Sequence, residues 1–194
     1  MSQLSKKHSF HTVFDSQGVF RSVLEAMSNP TRTVSIQSYA DKLFGDSPAL
    51  LALAMTLLDN ETGFTACGNP ALVQDIVSLT LAKESLIDAA DFVFVNDVDA
   101  LEQVIRSAKC GTLADPHRSA TVIVQDDGAA ECRLALYGPG IDGQISVEVS
   151  STVHTALQLR EAQYYEYPQG IDFIFVTGGG TLFAIPRLVR WEAK

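Results

Sequence analysis

The stretch Asp172-Phe173-Ile174-Phe175-Val176-Thr177-Gly178-Gly179-Gly180-Thr181-Leu182-Phe183-Ala184-Ile185 decides how the chain folds. Asp172 to Val176 is a very apolar run of strand length, rich in aromatic and β-branched residues. Thr181 to Ile185 is a second such run. The three glycines between them supply the backbone freedom of a hairpin turn. A carboxylate at the start of so apolar a strand needs a partner if it is buried. Arg187, just past the other end of the hairpin, is one candidate, and a structural salt bridge between Asp172 and Arg187 is the favoured reading.

Outward from this hairpin, strands dominate the second half of the chain. Ala120 to Val124 and Arg133 to Tyr137 read as strands, joined as a hairpin across Asp126-Asp127-Gly128. Ile145, Val147 and Val149 alternate with polar residues, as on a half-buried strand. A helix is expected over Thr152 to Gln163. The first half alternates helices and strands instead. Ser16 to Ser28 is a helix with Val19, Val23 and Met27 on one face and Phe20 and Leu24 beside it, stopped by Asn29-Pro30. A short strand follows around Thr33 to Ile36. Ser47-Pro48 and Asn69-Pro70 each pair a capping side chain with a first-turn proline. The helices they open run to about Leu58 and Leu81. The first is apolar nearly all round, which suits the centre of the core or a subunit interface. Gly63 to Cys67 and Phe92 to Val95 are strands, and Asp97 to Ser107 is a helix. The expected fold is therefore a single layered α/β domain, residues 16–194, with a mixed sheet flanked by helices. Residues 1–15 are expected to form a polar arm that packs on a neighbour.

Composition agrees with one globular domain. The chain has 194 residues, 46% apolar and 19% charged, enough to bury roughly 70% of its unfolded surface. A net charge of −9 argues against nonspecific nucleic-acid binding, which needs a basic face. It leaves room for a phosphorylated ligand held by a few local arginines. Three cysteines, Cys67, Cys110 and Cys132, show no CxxC spacing and suggest neither a disulfide framework nor a zinc site. The start lacks a signal-peptide h-region, and the longest apolar run, Ala49 to Met55, is too short to span a bilayer. The expectation is a cytoplasmic protein that does not enter membranes.

Candidate chemistry is sparse. Gly138-Pro139-Gly140-Ile141-Asp142-Gly143 spells GxGxxG, but a strand-like segment follows where a dinucleotide site requires a helix. A turn is the better reading, with amides at Gly138 and Gly140 able to meet a phosphate. Asp115-Pro116-His117-Arg118-Ser119 is the densest polar cluster. Arg118 suits phosphate or phosphonate oxygens, and His117 suits proton transfer near pH 7. The plain alternative is a rigid turn with surface charges. His8 and His11 have HxxH spacing without a nearby third ligand, so no metal is expected. Asp59 and Glu61 read as turn formers more than as a carboxylate pair. Trp191 and Arg190 are expected at a subunit contact.

Five segments together resemble the PhnH family. They are Phe20 to Pro30 (similar to FRxxLxAMxxP), Leu57 to Thr62 (LLDxxT), Gly111 to Thr121 (GTxxxPxxxAT), Gly138 to Ile141, and Pro168 to Phe173 with Ala184 to Arg187. Each is short, but all five occur in the family's order. Two positions depart from the pattern. Thr31 replaces the family's usual glycine, and a threonine does not readily take positive φ, so a different turn is expected there. Pro186-Arg187 runs on into Leu188-Val189 where the family often continues PRTT.

The resemblance implies a fold related to pyridoxal-phosphate transferases that has lost the cofactor site. No PLP and no metal are expected, and none of the six lysines has a context marking a Schiff base. It also implies a homodimer joined to PhnG, PhnI and PhnJ subunits in the carbon–phosphorus lyase machinery. There the chain would be required for forming alpha-D-ribose 1-methylphosphonate 5-triphosphate from ATP and methylphosphonate. If the chain contacts ATP or an alkylphosphonate, Asp115, His117, Arg118 and the amides near Gly138 and Gly140 are the candidates. Two rival readings stay open: a stand-alone enzyme on phosphates or phosphonates that uses His117 and Asp115, and a purely structural interaction module.

Overall fold

The computed structural model describes residues 8–194. Its centre is a seven-stranded mixed sheet. The strands are β1 (Val34–Ser35), β2 (Gly63–Cys67), β3 (Lys83–Glu84), β4 (Phe92–Val95), β5 (Thr121–Asp126), β8 (Asp172–Thr177) and β9 (Thr181–Ile185), in the order β1-β9-β8-β5-β4-β2-β3. From β8 to β3 all neighbours are parallel, while β9 and β1 add antiparallel strands at one side. The β8–β9 hairpin forms as its glycines predict. A second, three-stranded antiparallel sheet takes β6 (Cys132–Tyr137), β7 (Gln144–Val149) and β10 (Arg190–Ala193) in the order β10-β6-β7.

Strand alternation divides the core in two. Phe64, Phe94, Ile123, Ile174 and Leu182 face a cluster built with α1 (Phe14–Ser28), α3 (Pro48–Leu57) and α4 (Pro70–Thr80). Val93, Val95, Val122, Val124, Phe173 and Phe175 face the other cluster, with α5 (Leu101–Ser107), α6 (Ser151–Glu161) and the small sheet. Side chains of successive strand residues point to opposite faces. Burial on both faces is why β8 reads as an unbroken apolar run. The largely apolar α3 lies in the core, with Ala49 through Ala54 buried. No described helix is long and apolar enough to cross a membrane.

Several expectations need correction. β5 and β6 do not pair as a hairpin. Parallel neighbours β4 and β8 occupy both edges of β5, so the chain must leave the large sheet, and β6 pairs with β7 and β10. The connection is pinned by the buried Asp126 carboxylate, which accepts from Ser150 Oγ and from the Gly128 amide at 3.2 Å. On α1 the buried stripe is Val19, Val23 and Ala26, while Phe20 and Leu24 are about half exposed. That helix starts at Phe14, because Asp15 accepts the His11 amide at 2.7 Å and pairs with Lys42, also at 2.7 Å. The described part of the arm packs on its own domain. Phe10 is buried, Ser9 donates to the Lys42 carbonyl, and His8 Nδ1 accepts from the Phe44 amide; residues 1–7 lie outside the described residues. Ser47 does not cap α3, whereas Asn69 caps α4 by accepting from the Leu72 amide at 2.9 Å. A four-residue helix, α2 (Gln37–Ala40), follows β1 without a sequence signal. The segment read as one helix from Asp97 divides into a 3-10 turn, Val98–Ala100, and α5.

Thr31 gives the sharpest correction. It adopts φ +85°, the left-handed conformation that a glycine would take without strain. The turn after α1 keeps the glycine-type geometry, and a β-branched residue carries the strain.

Candidate functional site

Four of the five motif segments meet in space, in a line across one end of the molecule. The line starts where α1 ends. A β-carbon on Gly140 would stand 2.7 Å from Pro30 Cδ and 3.0 Å from Ser28 O. One on Gly138 would stand 2.9 Å from Leu188 O. The Gly-Pro-Gly turn joins the antiparallel strands β6 and β7. It is therefore no dinucleotide loop, and both glycines serve close backbone packing. The fifth segment stays apart and closes its own turn, with Asp59 Oδ1 accepting from the Glu61 and Thr62 amides at 2.9 and 3.0 Å.

Beyond Leu188 the line reaches Arg187. Its guanidinium forks onto the Asp172 carboxylate, Nε at 3.2 Å and a terminal nitrogen closer still, while its backbone N–H donates to Oδ1 at 2.8 Å. The other terminal nitrogen donates to the Pro116 carbonyl. One side chain thus ties the β8–β9 hairpin to the 115–119 loop. The pair is largely buried, Arg187 18% and Asp172 10% exposed. Planar bidentate geometry of this kind favours arginine over lysine.

The loop itself is rigid. Cys110 bridges Ser119, Asp115 and Thr112 exchange hydrogen bonds, and Gln169 Nε2 donates to the Gly111 carbonyl at 2.9 Å. A short 3-10 turn, Pro116–Arg118, then leads into β5. His117 and Arg118 are exposed, and Ser119 Oγ is buried without a hydrogen-bond partner.

Pro116, His117, Pro139, Pro168, Asp172 and Arg187, with Pro186 and Leu188, wall a cleft of about 300 Å³. Of the residues singled out from the sequence, His117, Asp172 and Arg187 line it. Asp115, Arg118, Gly138 and Gly140 do not line it, although each is next in the chain to a residue that does. The cleft is chiefly proline and leucine surface over an ion pair that already satisfies itself. Its chemistry suits holding an apolar surface more than breaking a bond. The histidines of the HxxH pair serve as acceptors, His11 Nδ1 from the Val13 and Phe14 amides. Among the described residues no three metal-ligating side chains gather.

A larger hollow of about 670 Å³ lies at the carboxyl ends of β5 and β8, bordered by Asp126, Asp127 and Glu148. Position alone makes it a ligand-type site in a parallel sheet, but its carboxylates repel phosphate. Sequence reasoning also passed over Arg160 and Tyr165, which lie on the far side of Arg187. Arg160 is 5% exposed, and burial pushes its guanidinium down to about 10. Burial likewise pushes the Tyr165 hydroxyl up to about 12. The signal available in advance was the helical spacing that puts Arg160 in step with Val153, Ala156 and Leu157 on the buried face of α6.

Comparison with known proteins bears on all of this. The family described as bacterial phosphonate metabolism protein (PhnH) matches residues 8–192. HtxG of Stutzerimonas stutzeri, provisionally named a C-P lyase subunit protein, is 30% identical over 181 residues, covering 92% of this chain and 86% of its own. The alpha-D-ribose 1-methylphosphonate 5-triphosphate synthase subunit PhnH of Rhizobium meliloti (strain 1021) is 27% identical over 189 residues, covering 94% of this chain and 92% of its own.

Proposed function

The chain belongs to the PhnH family of bacterial phosphonate metabolism proteins, and from that premise we propose that it is a subunit of a carbon–phosphorus lyase complex that breaks down organic phosphonates. Its contribution is to the early step, in which methylphosphonate and ATP give alpha-D-ribose 1-methylphosphonate 5-triphosphate. It acts as a homodimer, in the cytoplasm, in company with PhnG, PhnI and PhnJ subunits. Descent from a pyridoxal-phosphate transferase fold without the cofactor site is part of the same reading.

The observation that carries the proposal is the family match across residues 8–192, joined by two relatives named as subunits of this chemistry. The site supports a subunit role. Three of the five motif segments contribute walls to a proline-lined cleft, and the strongest charges there neutralise each other. Lys42 and Lys109 are held by Asp15 and Asp91, and Lys83 is exposed on the edge strand β3.

The test is co-expression with PhnG, PhnI and PhnJ from the same genome, affinity purification through this chain, and native mass measurement. A stoichiometric complex is expected. Recovery of the chain without any of the three, with turnover by the chain alone, would replace this reading by a stand-alone enzyme.

A further inference from the structure

Behind Arg187, on the opposite side from the cleft, lies a small pocket of about 110 Å³ where the end of α6 meets the entry to β10. Arg160, Arg187, Arg190, Tyr165, Gln163 and Gln169 line it, with Glu161 as the one carboxylate. Three guanidinium groups in so small a space are unusual in a chain of net charge −9.

Their states differ. Arg187 is neutralised by Asp172. Arg160 is 5% exposed and meets no carboxylate. It donates to the carbonyls of Ile185 and Pro186 at 3.3 Å and of Val189 at 2.8 Å, and its guanidinium lies over the Phe173 ring at 5.4 Å. Neutral carbonyls orient a cation but do not cancel its charge. Asp172 and Glu161 favour the charged form of Arg160 at longer range, while Arg190, exposed and without an ion pair among the described residues, disfavours it. The Tyr165 hydroxyl is buried with no hydrogen-bond partner. A buried hydroxyl without a partner costs roughly 1–3 kcal/mol. Two cations without a direct carboxylate partner and an unpartnered donor thus line one space, and what they lack in common is an anionic acceptor in contact.

The charge balance favours one. Arg160 and Arg190 contribute two positive charges, and exposed Glu161 removes one. The carboxyl end of α6 removes about half of another. The remainder is positive, with Glu161 and Arg190 both facing water and so both screened. Size then limits the occupant. At roughly 30 Å³ of liquid volume per water, the pocket holds three to four waters, far below the roughly 300 Å³ at which sites for whole cofactors begin. It admits one tetrahedral headgroup and not a nucleotide.

We infer that Arg160, Arg190 and the Tyr165 hydroxyl form a binding pocket for a single tetrahedral oxyanion. On the phosphonate reading given above, that oxyanion is a phosphonate or phosphate group. Arg160 fixes the charge at the back, Arg190 closes over the open side, and Tyr165 donates the hydrogen bond it now lacks. Arg187 lines both this pocket and the proline cleft, so an occupant here is felt at the cleft through Arg187.

The test uses the full chain, titrated by calorimetry at constant ionic strength with methylphosphonate, inorganic phosphate and ribose 5-phosphate. Saturable binding at one site per chain is expected. Arg190→Ala weakens it about tenfold or more, and Tyr165→Phe about two- to tenfold. Arg106→Ala, which removes an exposed arginine paired with Glu102 on α5, leaves it unchanged. Tighter binding of ribose 5-phosphate than of phosphate would identify the headgroup of a larger compound, and equal binding a free anion; both support the pocket. Ligand-free melting temperatures of Arg190→Ala and Tyr165→Phe within a few degrees of the parent establish that the fold is intact. Absence of saturable binding for all three anions, or affinities that ignore both pocket variants, overturns the inference. Either result leaves complex formation to be decided by co-purification, so failure of the pocket and failure of the subunit reading are distinguishable.

Discussion

Arg187→Ala isolates the contact on which the converging motifs depend. Truncation removes the fork from Nε and a terminal nitrogen onto Asp172, together with the bond to the Pro116 carbonyl. The Asp172 carboxylate stays behind, 10% exposed, with the 2.8 Å bond from the Arg187 backbone as its remaining support. Orphaning one member of a buried pair costs about 3–5 kcal/mol. The surviving backbone bond argues for the lower end, about 3 kcal/mol. At roughly 2–4 °C per kcal/mol for a chain of this size, the melting temperature falls by about 6–12 °C. Replacing both members with apolar residues, Asp172→Leu with Arg187→Met, is expected to be less damaging than either single change, because no charge is left unpaired. Urea denaturation at pH 7 followed by circular dichroism, with the double-mutant cycle completed, measures all three. A single variant within about 1 kcal/mol of the parent, or a coupling below about 0.5 kcal/mol, refutes the view that this pair holds the loop to the hairpin.

Three further outcomes follow from local geometry. Thr31→Gly relieves a left-handed strain worth about 1–2 kcal/mol but adds about 0.5–1 kcal/mol of glycine flexibility. The net is a gain of about 0.5–1 kcal/mol and a melting temperature higher by about 1–4 °C, and calorimetry showing no rise contradicts it. Gly140→Ala sets a β-carbon against Pro30 and the Ser28 carbonyl at φ +84° and is expected to lose about 2–4 kcal/mol, read from denaturant midpoints. The His11 amide, then Lys42, hold the Asp15 carboxyl below its ordinary value, so its contribution is complete above about pH 4 and disappears as pH falls through the folded value. Asp15→Asn should therefore cost about 1.5–3 kcal/mol at pH 7 and progressively less as the pH falls below about 4, flattening the acid limb of the stability curve; an unchanged limb excludes the role.

Legibility in the sequence tracked how local the cause was. The β8–β9 hairpin, β2, β4 and the Asn69 cap follow from short-range chemistry, and the structure has them at the residues expected. Asp172 and Arg187 were paired in advance because a carboxylate entering an apolar strand needs a cation and a hairpin places its ends together. The supposed β5–β6 hairpin failed because pairing depends on which sheet edges are free, and that is fixed by β8, some fifty residues later in the chain. Phe20 and Leu24 were read beside the apolar face of α1, and helical periodicity does not say how much of that arc the neighbours cover, which leaves both about half exposed. The meeting of Pro30 with Gly140 and of Arg187 with Pro116 was hidden altogether, since glycine packing and side chain to carbonyl bonds leave no periodic trace. The place of Arg160 on the buried face of α6 was readable, but its carbonyl partners on a distant connection were not, and the Tyr165 hydroxyl, buried without a partner, left no trace either.

The large sheet stops at both sides in strands of two residues, β1 and β3. Such stubs expose too few amides and carbonyls in register to recruit an extended segment, so the sheet is a finished object and not a template. The small sheet has longer borders, but they carry Glu148 on one side and Arg190 and Glu192 on the other, charges that penalise casual strand addition. Neighbouring chains must therefore recognise this molecule by side-chain shape and charge. Errors of assembly should then appear as weak or missing partners, and not as runaway β-aggregation.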